Sequence, residues 1–302
     1  MPLPVSIVVV NLDGGELLFE ALDALGRQGA EEILVVDNGS RPAEVSRLEA
    51  RSGLALIRLA ENRGFAAPAN LGARAARAPF LAFVNNDCVL ADGYLGACVS
   101  ALSGNPGLTA VQGAVLAGDG RSVDGWGVGW SERAEAVQLG HGEVPPPPSG
   151  PLLPVPGVSA TAVLFRREAF LAAGGFAESF FAWYEDVDLS LRLRRAGARF
   201  ACVPAARARH AGTATGRRRP AERWSHLFAN RLRTLRRNFD PAVFPAHPLR
   251  PAAGASLGPA AEELGWARAL AVALGATRAA RPFREEDRAV LAALPPLREL
   301  PA

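Results

Sequence analysis

The chain has 302 residues, of which 49% are hydrophobic and 21% charged, and its formal net charge is +3 at pH 7. A chain of this composition can build a sizeable hydrophobic core, which excludes wholesale disorder, collagen and coiled-coil rods. Its length suits two domains, or one α/β domain with a short appendage.

The cysteines and the amino-terminal residues indicate a reducing compartment. There are three cysteines and no C-x-x-C pair, so neither a disulfide framework nor a zinc knuckle is expected. Residues 1–10 lack a basic segment and run directly into a strand pattern, so no signal peptide is expected. The longest uncharged stretch, residues 144–165, contains seven prolines, which a membrane-spanning helix does not carry. We therefore expect a cytoplasmic protein that does not cross a bilayer.

Apolar strand patterns alternate with helical patterns in the first third of the chain. The expected strands are residues 5–10, 33–36, 54–59 and 80–84. This alternation predicts an α/β fold with a mostly parallel sheet covered by helices on both faces. The carboxyl ends of the strands then share one edge, where ligands bind in open α/β sheets.

Polar residues follow each of these strands directly: Asn11, Asp13, Asp37, Asn62, Arg63 and Asp87. One such loop is ordinary turn chemistry, because Asn, Asp and Gly favour turns for conformational reasons. Four loops in series, two of them with carboxylates that end a strand, favour a binding site at this edge.

The second half of the chain carries a dense acidic and aromatic segment. After expected strands at residues 109–116 and 159–165, a helix is predicted for residues 186–195. Glu185, Asp186 and Asp188 stand at its start, just after Trp183 and Tyr184. Amide groups and the macrodipole favour anions at that position. Plain helix capping is the alternative, and it explains one acid better than three.

Positive charge is concentrated in residues 192–237. All basic residues of the chain are arginine, and residues 192–237 hold fourteen of them with one acid, Glu222. Such a block attracts phosphates, an anionic membrane face or nucleic acid, unless it is only a solvated helix face with an arginine tract. Residues 222–239 form a basic amphipathic helix pattern that suits packing on the domain or lying in a membrane surface.

The carboxyl-terminal part is expected to be separate from the catalytic region. We predict one domain over residues 1–239, a Pro/Ala-rich linker at 240–258 and a helical extension at 259–302. Helices are expected at residues 259–274 and 285–294 within that extension. Nothing in these residues indicates their function.

Six motifs occur in an order that resembles family 2 glycosyltransferases. They are V-S-I-V-V-V-N ending at Asn11, V-D-N-G-S from Val36, N-R-G-F from Asn62, N-N-D ending at Asp87, G-G-F from Gly174, and E-D-V-D-L from Glu185. The likeness covers roughly residues 5–239 and is greatest to the rhamnosyltransferase-like branch, which builds cell-wall and surface polysaccharides. It implies a GT-A fold, an inverting sugar transfer and a divalent metal, Mg²⁺ or Mn²⁺.

The resemblance also implies roles for individual residues. Asp87 and His210 would bind the metal, and Asp186 would be the catalytic base, with Glu185 beside it. The donor nucleotide would be bound by the polar loops, namely Asn11, Asp13, Asp37, Asn62, Arg63, Gly64, Asn85 and Asn86. Apart from the resemblance, residue type makes Trp126, Trp183 and Tyr184 candidates for stacking against the acceptor sugar and Asp188 a candidate for binding the acceptor, although burying apolar area is the commoner role of the aromatic residues.

These roles agree with elementary chemistry. A divalent ion neutralises the charge that develops on a diphosphate leaving group, and Asp87 is a hard oxygen ligand suited to such an ion. His210 would favour Mn²⁺. The acceptor hydroxyl needs a base, and a helix start is expected to keep Asp186 ionised near neutral pH.

Three positions depart from the family pattern. Asn85 stands where the metal motif usually begins with Asp, and Asp13 replaces a commoner Asn. Residues 159–161, Ser-Ala-Thr, stand where a Gly-Ala pair is usual. The first departure removes one negative charge from the metal site, and the third changes the acceptor loop.

The leading hypothesis is an inverting glycosyltransferase that moves a sugar, with rhamnose favoured by likeness, from a nucleoside-diphosphate sugar to a glycan or polyprenyl-pyrophosphate-linked acceptor. The arginine block would then make peripheral contact with an anionic membrane at its inner face, rather than with nucleic acid. The alternative is a catalytically silent nucleotide-sugar-binding or scaffold protein of the same fold. An NAD-dependent oxidoreductase is disfavoured, because Asp13-Gly14-Gly15 lacks the glycine spacing of a dinucleotide fingerprint. The sequence leaves the nucleotide, the linkage and the oligomeric state open.

Overall fold

The computed structural model describes residues 2–130, 135–212 and 220–238. The strands are β1 Leu3–Asn11, β2 Ala30–Asn38, β3 Ala55–Leu59, β4 Phe80–Val84, β5 Cys88–Leu90, β6 Leu108–Leu116, β7 Val123–Gly125, β8 Val128–Trp130, β9 Ala136–Gln138, β10 Leu153–Val155, β11 Ala162–Arg166 and β12 Arg199–His210. The helices are α1 Glu16–Gly26, α2 Pro42–Glu49, α3 Ala66–Ala75, α4 Tyr94–Gly104, α5 Arg167–Ala172, α6 Glu185–Arg195 and α7 Pro220–Asn238.

The main sheet is mixed but mostly parallel, as the sequence predicts. Its strand order is β10-β12-β6-β11-β4-β1-β2-β3, with β5 paired to β12 and β7 paired to β6. Strands β3, β2, β1 and β4 run parallel, while β11 is antiparallel to both β4 and β6. Because β12 is parallel to β6, the carboxyl ends of β1, β2, β4 and β12 share one edge with the amino end of β11.

The two faces of the sheet bury separate hydrophobic layers. Along β1, Val5, Ile7 and Val9 pack with α1 and α4, whereas Val8 packs on the other face with α3, α5 and α6. Successive side chains of a strand point to opposite faces, so a strand covered on both sides needs a continuous apolar run. Burying each such valine contributes roughly 1.5–3 kcal/mol of transfer free energy.

Several element boundaries differ from the sequence-based expectation. Strand β4 has the predicted bounds, while β1 is longer by three residues. Strand β12 pairs with β6 up to Val203, shifts register between Val203 and Arg207, and then continues to His210. The expected strand over residues 159–165 starts only at Ala162, because residues 159–161 bond to side chains and to another loop.

Some expectations fall on residues that the structure does not describe. The linker at 240–258 and the helices expected at 259–274 and 285–294 lie outside the described residues. Within the described ranges, no helix combines the length and apolar character needed to span a bilayer. The three cysteines, Cys88, Cys98 and Cys202, are free and buried, and burial raises the pKa of each thiol.

Candidate active site

Asp87 and His210 meet at the predicted edge of the sheet. Asp87 follows β4, and His210 ends β12, where it pairs with Cys88 of β5. The Ala211 amide donates to the Asp87 carbonyl at 3.0 Å, which fixes the two chain segments together. His210 Nε2 lies 3.1 Å from Asp87 Oδ1, so the two proposed metal ligands are in contact.

The second ring nitrogen of His210 also has a carboxylate partner. His210 Nδ1 lies 2.8 Å from Asp124 Oδ2, on strand β7. Burial by itself disfavours the charged imidazolium, but hydrogen bonds and charge from Asp124 and Asp87 outweigh it and raise the pKa of His210 to about 9. Sequence analysis did not identify Asp124, because its role depends on a contact between distant segments.

The side chains around His210 fit a divalent ion whose remaining ligands, such as phosphate and water, do not come from the protein. It offers one carboxylate and one imidazole, with Asn85 Nδ2 3.5 Å from His210 Nε2. No cluster of three or more His, Cys, Asp or Glu placed to hold an ion occurs within the described residues. Mg²⁺ usually takes one or two carboxylates and completes its shell with phosphate and water. A site that shares its ion with a diphosphate therefore suits these residues.

The loop after β1 is held by a glutamate that sequence analysis missed. Glu44, in the first turn of α2, accepts hydrogen bonds from Asn11 Nδ2 at 2.6 Å and from the amides of Gly14 and Gly15 at 2.9 and 2.8 Å. Asn86 Nδ2 in turn donates to Asn11 Oδ1 at 2.9 Å. This network ties the first loop to the metal motif.

The two predicted donor-binding aspartates have different surroundings. Asp37 is 1% exposed, and its carboxylate accepts from the Ser40 amide at 3.3 Å and from Asn11 Nδ2 at 3.4 Å. Asp13 is more accessible, and its Oδ1 accepts from the Arg41 amide at 2.9 Å and from Arg41 Nε at 3.2 Å. Both lie at the carboxyl ends of β1 and β2, where the sequence expects them.

The loop formed by Asn62, Arg63 and Gly64 is bound to the end of β2. Asn38 Nδ2 donates to Asn62 Oδ1 at 3.0 Å and to the Gly64 carbonyl at 2.7 Å, while the Arg63 amide donates to Asn38 Oδ1 at 2.9 Å. Gly64 has φ +76°, and a Cβ there would collide with the Phe181 carbonyl. Only glycine allows this loop to approach the segment before α6 so closely.

Asp186 is anchored by backbone amides at the start of α6. The Ala160 amide donates to Asp186 Oδ2 at 3.0 Å, and the Val187 amide donates to Oδ1 at 2.8 Å. Burial raises the pKa of Asp186 above its usual value, although these amides oppose the shift. The expectation that a helix start alone would keep this group ionised is therefore too simple, because desolvation exceeds the effect of the amides.

Glu185 lacks the hydrogen bonds that Asp186 receives. It is 6% exposed, and its Oε2 is buried without a hydrogen-bond partner. Burial, together with the neighbouring Asp186 charge, raises the pKa of Glu185 well above its usual value. The charged form of Asp186 therefore receives more hydrogen bonds than that of Glu185 does.

A three-residue segment joins the base to the metal motif. The Ala160 amide holds Asp186, and the next residue, Thr161, accepts a hydrogen bond through its carbonyl from the Asn85 amide at 2.9 Å. Asn85 begins the motif that ends with Asp87. The proposed base and the proposed metal ligands thus share one edge of the sheet.

Two of the four predicted acceptor residues are buried. Asp188 is fully buried, and its oxygens bind Arg192 Nε at 2.8 Å, Arg237 Nε at 3.0 Å and Asn238 Nδ2 at 3.0 Å. Trp126 is 6% exposed and packs within the core beside α6. Neither residue has a surface that an acceptor can contact.

Trp183 and Tyr184 lie in the segment leading to α6. Both have positive φ, +67° and +69°, and the Tyr184 hydroxyl accepts from the Ala136 amide at 3.2 Å. The Trp183 ring lies 5.8 Å from the ring of His226 on α7, and the Tyr184 ring lies 6.4 Å from that of Trp130. These aromatic residues are partly exposed next to Asp186, in contrast to Trp126.

Known proteins resemble this chain in sequence. The family model described as "Glycosyl transferase family 2" matches residues 6–171. The O-antigen biosynthesis protein RfbC of Myxococcus xanthus is 32% identical over 234 residues, which cover 70% of this chain and 18% of that protein. An N-acetylglucosaminyl-diphospho-decaprenol L-rhamnosyltransferase of Mycobacterium tuberculosis is 42% identical over 81 residues, covering 27% of this chain and 25% of that protein. The chain thus spans a quarter or less of the length of these relatives.

Solved structures share the fold. The structure of GalNAc-T7 with UDP, GalNAc and Mn²⁺ has a TM-score of 0.59 at 16% identity and covers 76% of this chain and 47% of that one. The mannosyltransferase PcManGT of Pyrobaculum calidifontis, in complex with GDP-Man and Mn²⁺, has a TM-score of 0.54 at 21% identity. The match covers 97% of this chain and 81% of that one. These likenesses confirm the predicted GT-A fold. With the matched family model and the named relatives, they establish that the chain belongs to glycosyl transferase family 2, as its six motifs predict.

Proposed function

We propose that this protein is an inverting, metal-dependent glycosyltransferase that uses a nucleoside-diphosphate sugar to build a cell-surface polysaccharide. One observation carries the proposal: the segment 159–161 bonds Asp186 on one side and Asn85 of the metal motif on the other. A base and a cation site that flank one sugar are what inverting transfer requires.

On the donor side, Asp87 and His210 would hold the divalent ion, with Asn85 beside them. When bound, such an ion stabilises the negative charge of the diphosphate leaving group. The loops that contain Asn11 and Asn62 position the nucleotide at the carboxyl ends of β1 and β3, the usual ligand edge of an open α/β sheet.

On the acceptor side, Asp186 takes the proton of the attacking hydroxyl. The hydroxyl oxygen forms a bond to the anomeric carbon as the bond from that carbon to the diphosphate oxygen breaks. Attack from the face opposite the leaving group inverts the anomeric configuration. A positioned base typically contributes about 10²- to 10⁴-fold to the rate.

The finer parts of the proposal rest on likeness. The name of the Mycobacterium tuberculosis relative favours rhamnose as the sugar and a polyprenyl-pyrophosphate-linked acceptor. The complexes of the structural neighbours with Mn²⁺ favour Mn²⁺ as the ion, with Mg²⁺ as the alternative. An acceptor of this kind resides at a membrane, which agrees with the arginine-rich residues 192–237.

A thermal-shift screen of UDP-, dTDP- and GDP-sugars tests the donor site. With Mn²⁺ and a ligand at 100 times its dissociation constant, the folded state gains about 2.7 kcal/mol, or roughly 5–10 °C for a domain of this size. The shift should disappear with EDTA and in Asp87→Ala. A protein that no nucleotide sugar stabilises with either ion would contradict the proposal.

Catalysis is tested with the donor that gives the largest shift. Transfer, or slow hydrolysis of that donor, should require the metal and disappear in Asp186→Ala. Glu49→Gln is the matched control, because it removes an exposed carboxylate that pairs with Arg58 on the surface. Donor binding without metal-dependent turnover would favour the alternative, a catalytically silent binding protein. That alternative is suggested by Asn85, which lacks the negative charge that an Asp would give the metal site.

A further inference from the structure

We propose that Asp124 is a positioning residue of the metal centre, which holds the His210 ring so that Nε2 faces Asp87. The inference rests on the proposed function, since it concerns the same ion. No sequence motif marks Asp124, which lies in a short strand between two glycine-rich turns.

The contact fixes the direction of the ring and therefore which nitrogen would face the metal. With Nδ1 donating its hydrogen to Asp124 Oδ2 at 2.8 Å, Nε2 is the nitrogen that faces Asp87 Oδ1 at 3.1 Å. A histidine that gives one ring N–H to a carboxylate presents the lone pair of the other nitrogen to a metal. Such a partner fixes the orientation of the ligand and makes it more basic.

Asp124 is supplied by a rigid element, as a positioning group must be. Strand β7 pairs with β6, and Val123 is 1% exposed. The Val123 amide donates to the Glu143 carbonyl at 2.9 Å, and its carbonyl accepts from the Gly142 amide at 2.8 Å. Trp126, just beyond β7, packs in the core. The rigidity of this backbone limits where the Asp124 carboxylate can lie.

A second histidine near Asp124 provides an internal control. His141 Nδ1 lies 2.9 Å from the Asp124 carbonyl and 3.8 Å from Asp124 Oδ1, whereas Oδ2 faces His210. The His141 side chain is 68% exposed, and within the described part of the chain it contacts Asp124 rather than Asp87 or His210. His141→Ala therefore perturbs the surroundings of Asp124 without removing the bond to the proposed ligand.

The experiment measures Mn²⁺ binding rather than turnover. Mn²⁺ alone is titrated into the full chain, and the free ion is counted by electron paramagnetic resonance. Asp124→Ala should weaken Mn²⁺ affinity by about 10- to 100-fold, the usual effect of losing a partner of a metal ligand. Asp124→Asn should weaken it less, because its amide oxygen still accepts from Nδ1. His141→Ala should bind Mn²⁺ like the unmodified protein.

A double-mutant cycle separates positioning from general destabilisation. In a His210→Ala background, Asp124→Ala should have no further effect on Mn²⁺ affinity, because the ring that it orients is gone. If Asp124→Ala weakens binding equally with and without His210, the role is structural and the inference is wrong. Unfolding temperatures measured in parallel identify any variant that fails to fold, and Asp124→Asn then supplies the comparison.

Failure of the inference differs from failure of the proposed metal site. If Asp87→Ala weakens Mn²⁺ binding and Asp124→Ala does not, Asp124 has no positioning role. If neither Asp87→Ala nor His210→Ala changes Mn²⁺ binding, or if the unmodified protein binds none, the ion is not held where both proposals require it.

Discussion

Glu185 and Asp186 are neighbours in the same helical turn, yet the protein treats their carboxyl groups differently. Asp186 accepts two backbone amides, whereas Glu185 keeps one buried oxygen without a partner. An ionised group needs such donors far more than a neutral one does. Of the two adjacent carboxyl groups, Asp186 therefore has the better stabilised charged form, as its proposed role as base requires.

Replacing the base should remove catalysis and leave donor binding intact. In Asp186→Asn, kcat should fall by about 10²- to 10⁴-fold, because no group takes the hydroxyl proton. The thermal shift caused by donor and Mn²⁺ should stay within error of that of the unmodified protein. Equal losses of binding and turnover would instead indicate that Asp186 holds the donor site together.

The pH dependence should reflect the raised pKa of Asp186. Protonated Asp186 cannot accept a proton, so kcat/KM is retained above the raised pKa and falls as the pH drops through it. The acid limb should therefore lie above the range usual for Asp, measured with saturating Mn²⁺. The Ser159 side chain lowers the pKa of Asp186, so Ser159→Gly should move the limb to higher pH. A limb in the ordinary Asp range, unmoved by this change, would contradict the assignment.

Glu185 should reduce stability as the pH rises. Below the pKa of the unfolded chain, both states carry the protonated acid, and the raised folded pKa costs nothing. Above it, the unfolded state ionises while the folded state does not, so the free energy of unfolding falls by up to about 1.4 kcal/mol per pH unit. Glu185→Gln should thus gain stability relative to the unmodified protein between pH 5 and 8, as measured by urea unfolding. A difference independent of pH would exclude this cause.

At the scale of elements, the segment between the short turn Glu178–Phe180 and α6 is held from both sides. Phe181, Trp183 and Tyr184 all have positive φ, which costs roughly 1–3 kcal/mol each for residues other than glycine. The Phe181 carbonyl accepts from the Phe65 and Ala66 amides at 2.6 and 3.1 Å. Contacts with α3 and α7 therefore maintain a backbone that places Asp186.

Asn230 on α7 should be essential for this geometry. Its Nδ2 lies 2.8 Å from each of three carbonyls, those of Phe180, Ala182 and Trp183. Asn230→Ala leaves buried acceptors unpaired, so we expect a loss of about 1–3 kcal/mol in unfolding free energy and a reduced kcat. Asn105→Ala, which removes a similar amide from the exposed end of α4, is the control and should affect neither. An active Asn230→Ala protein of normal stability would contradict this role.

Local patterns predict the elements well, but they do not predict long-range contacts. The apolar runs of β1 and β4 and the start of α6 follow from residue type and spacing. Asp124 and Glu44 are invisible to such reasoning, because their partners are 86 and 33 residues away. The burial of Asp188 and Trp126 escapes prediction for the same reason, since a motif does not reveal which of its side chains face the core.

At the scale of the whole molecule, much of the arginine block is engaged within the fold. Arg192 and Arg237 bind Asp188, Arg231 binds Glu135 at 3.0 Å, and Arg209 binds Glu20 at 2.6 Å. Charge that is paired internally contributes less to long-range attraction. Any attraction of this block to an anionic surface therefore depends on its remaining arginines. Three of them, residues 217–219, lie outside the described part of the chain.

Vesicle flotation tests whether the remaining charge is sufficient. The full chain should float with vesicles of phosphatidylglycerol at low salt and be released as NaCl approaches about 0.5 M. Salt shortens the range of the attraction between exposed charges, which is about 10 Å at 0.1 M and less at higher salt. Vesicles of phosphatidylcholine alone are the control and should not retain it. Absence of flotation at low salt would remove the membrane contact from the proposed function.

Strand β11 runs against its neighbours, and this orientation has a consequence for how the family can diversify. The edge of the sheet that carries the proposed site receives its proposed donor half from chain leaving β1, β2 and β4. Its proposed acceptor half comes from chain entering β11 and from α6, more than seventy residues later. Substitutions that retune the recipient of the sugar can therefore accumulate in one stretch of the gene while the nucleotide machinery in the other is inherited unchanged.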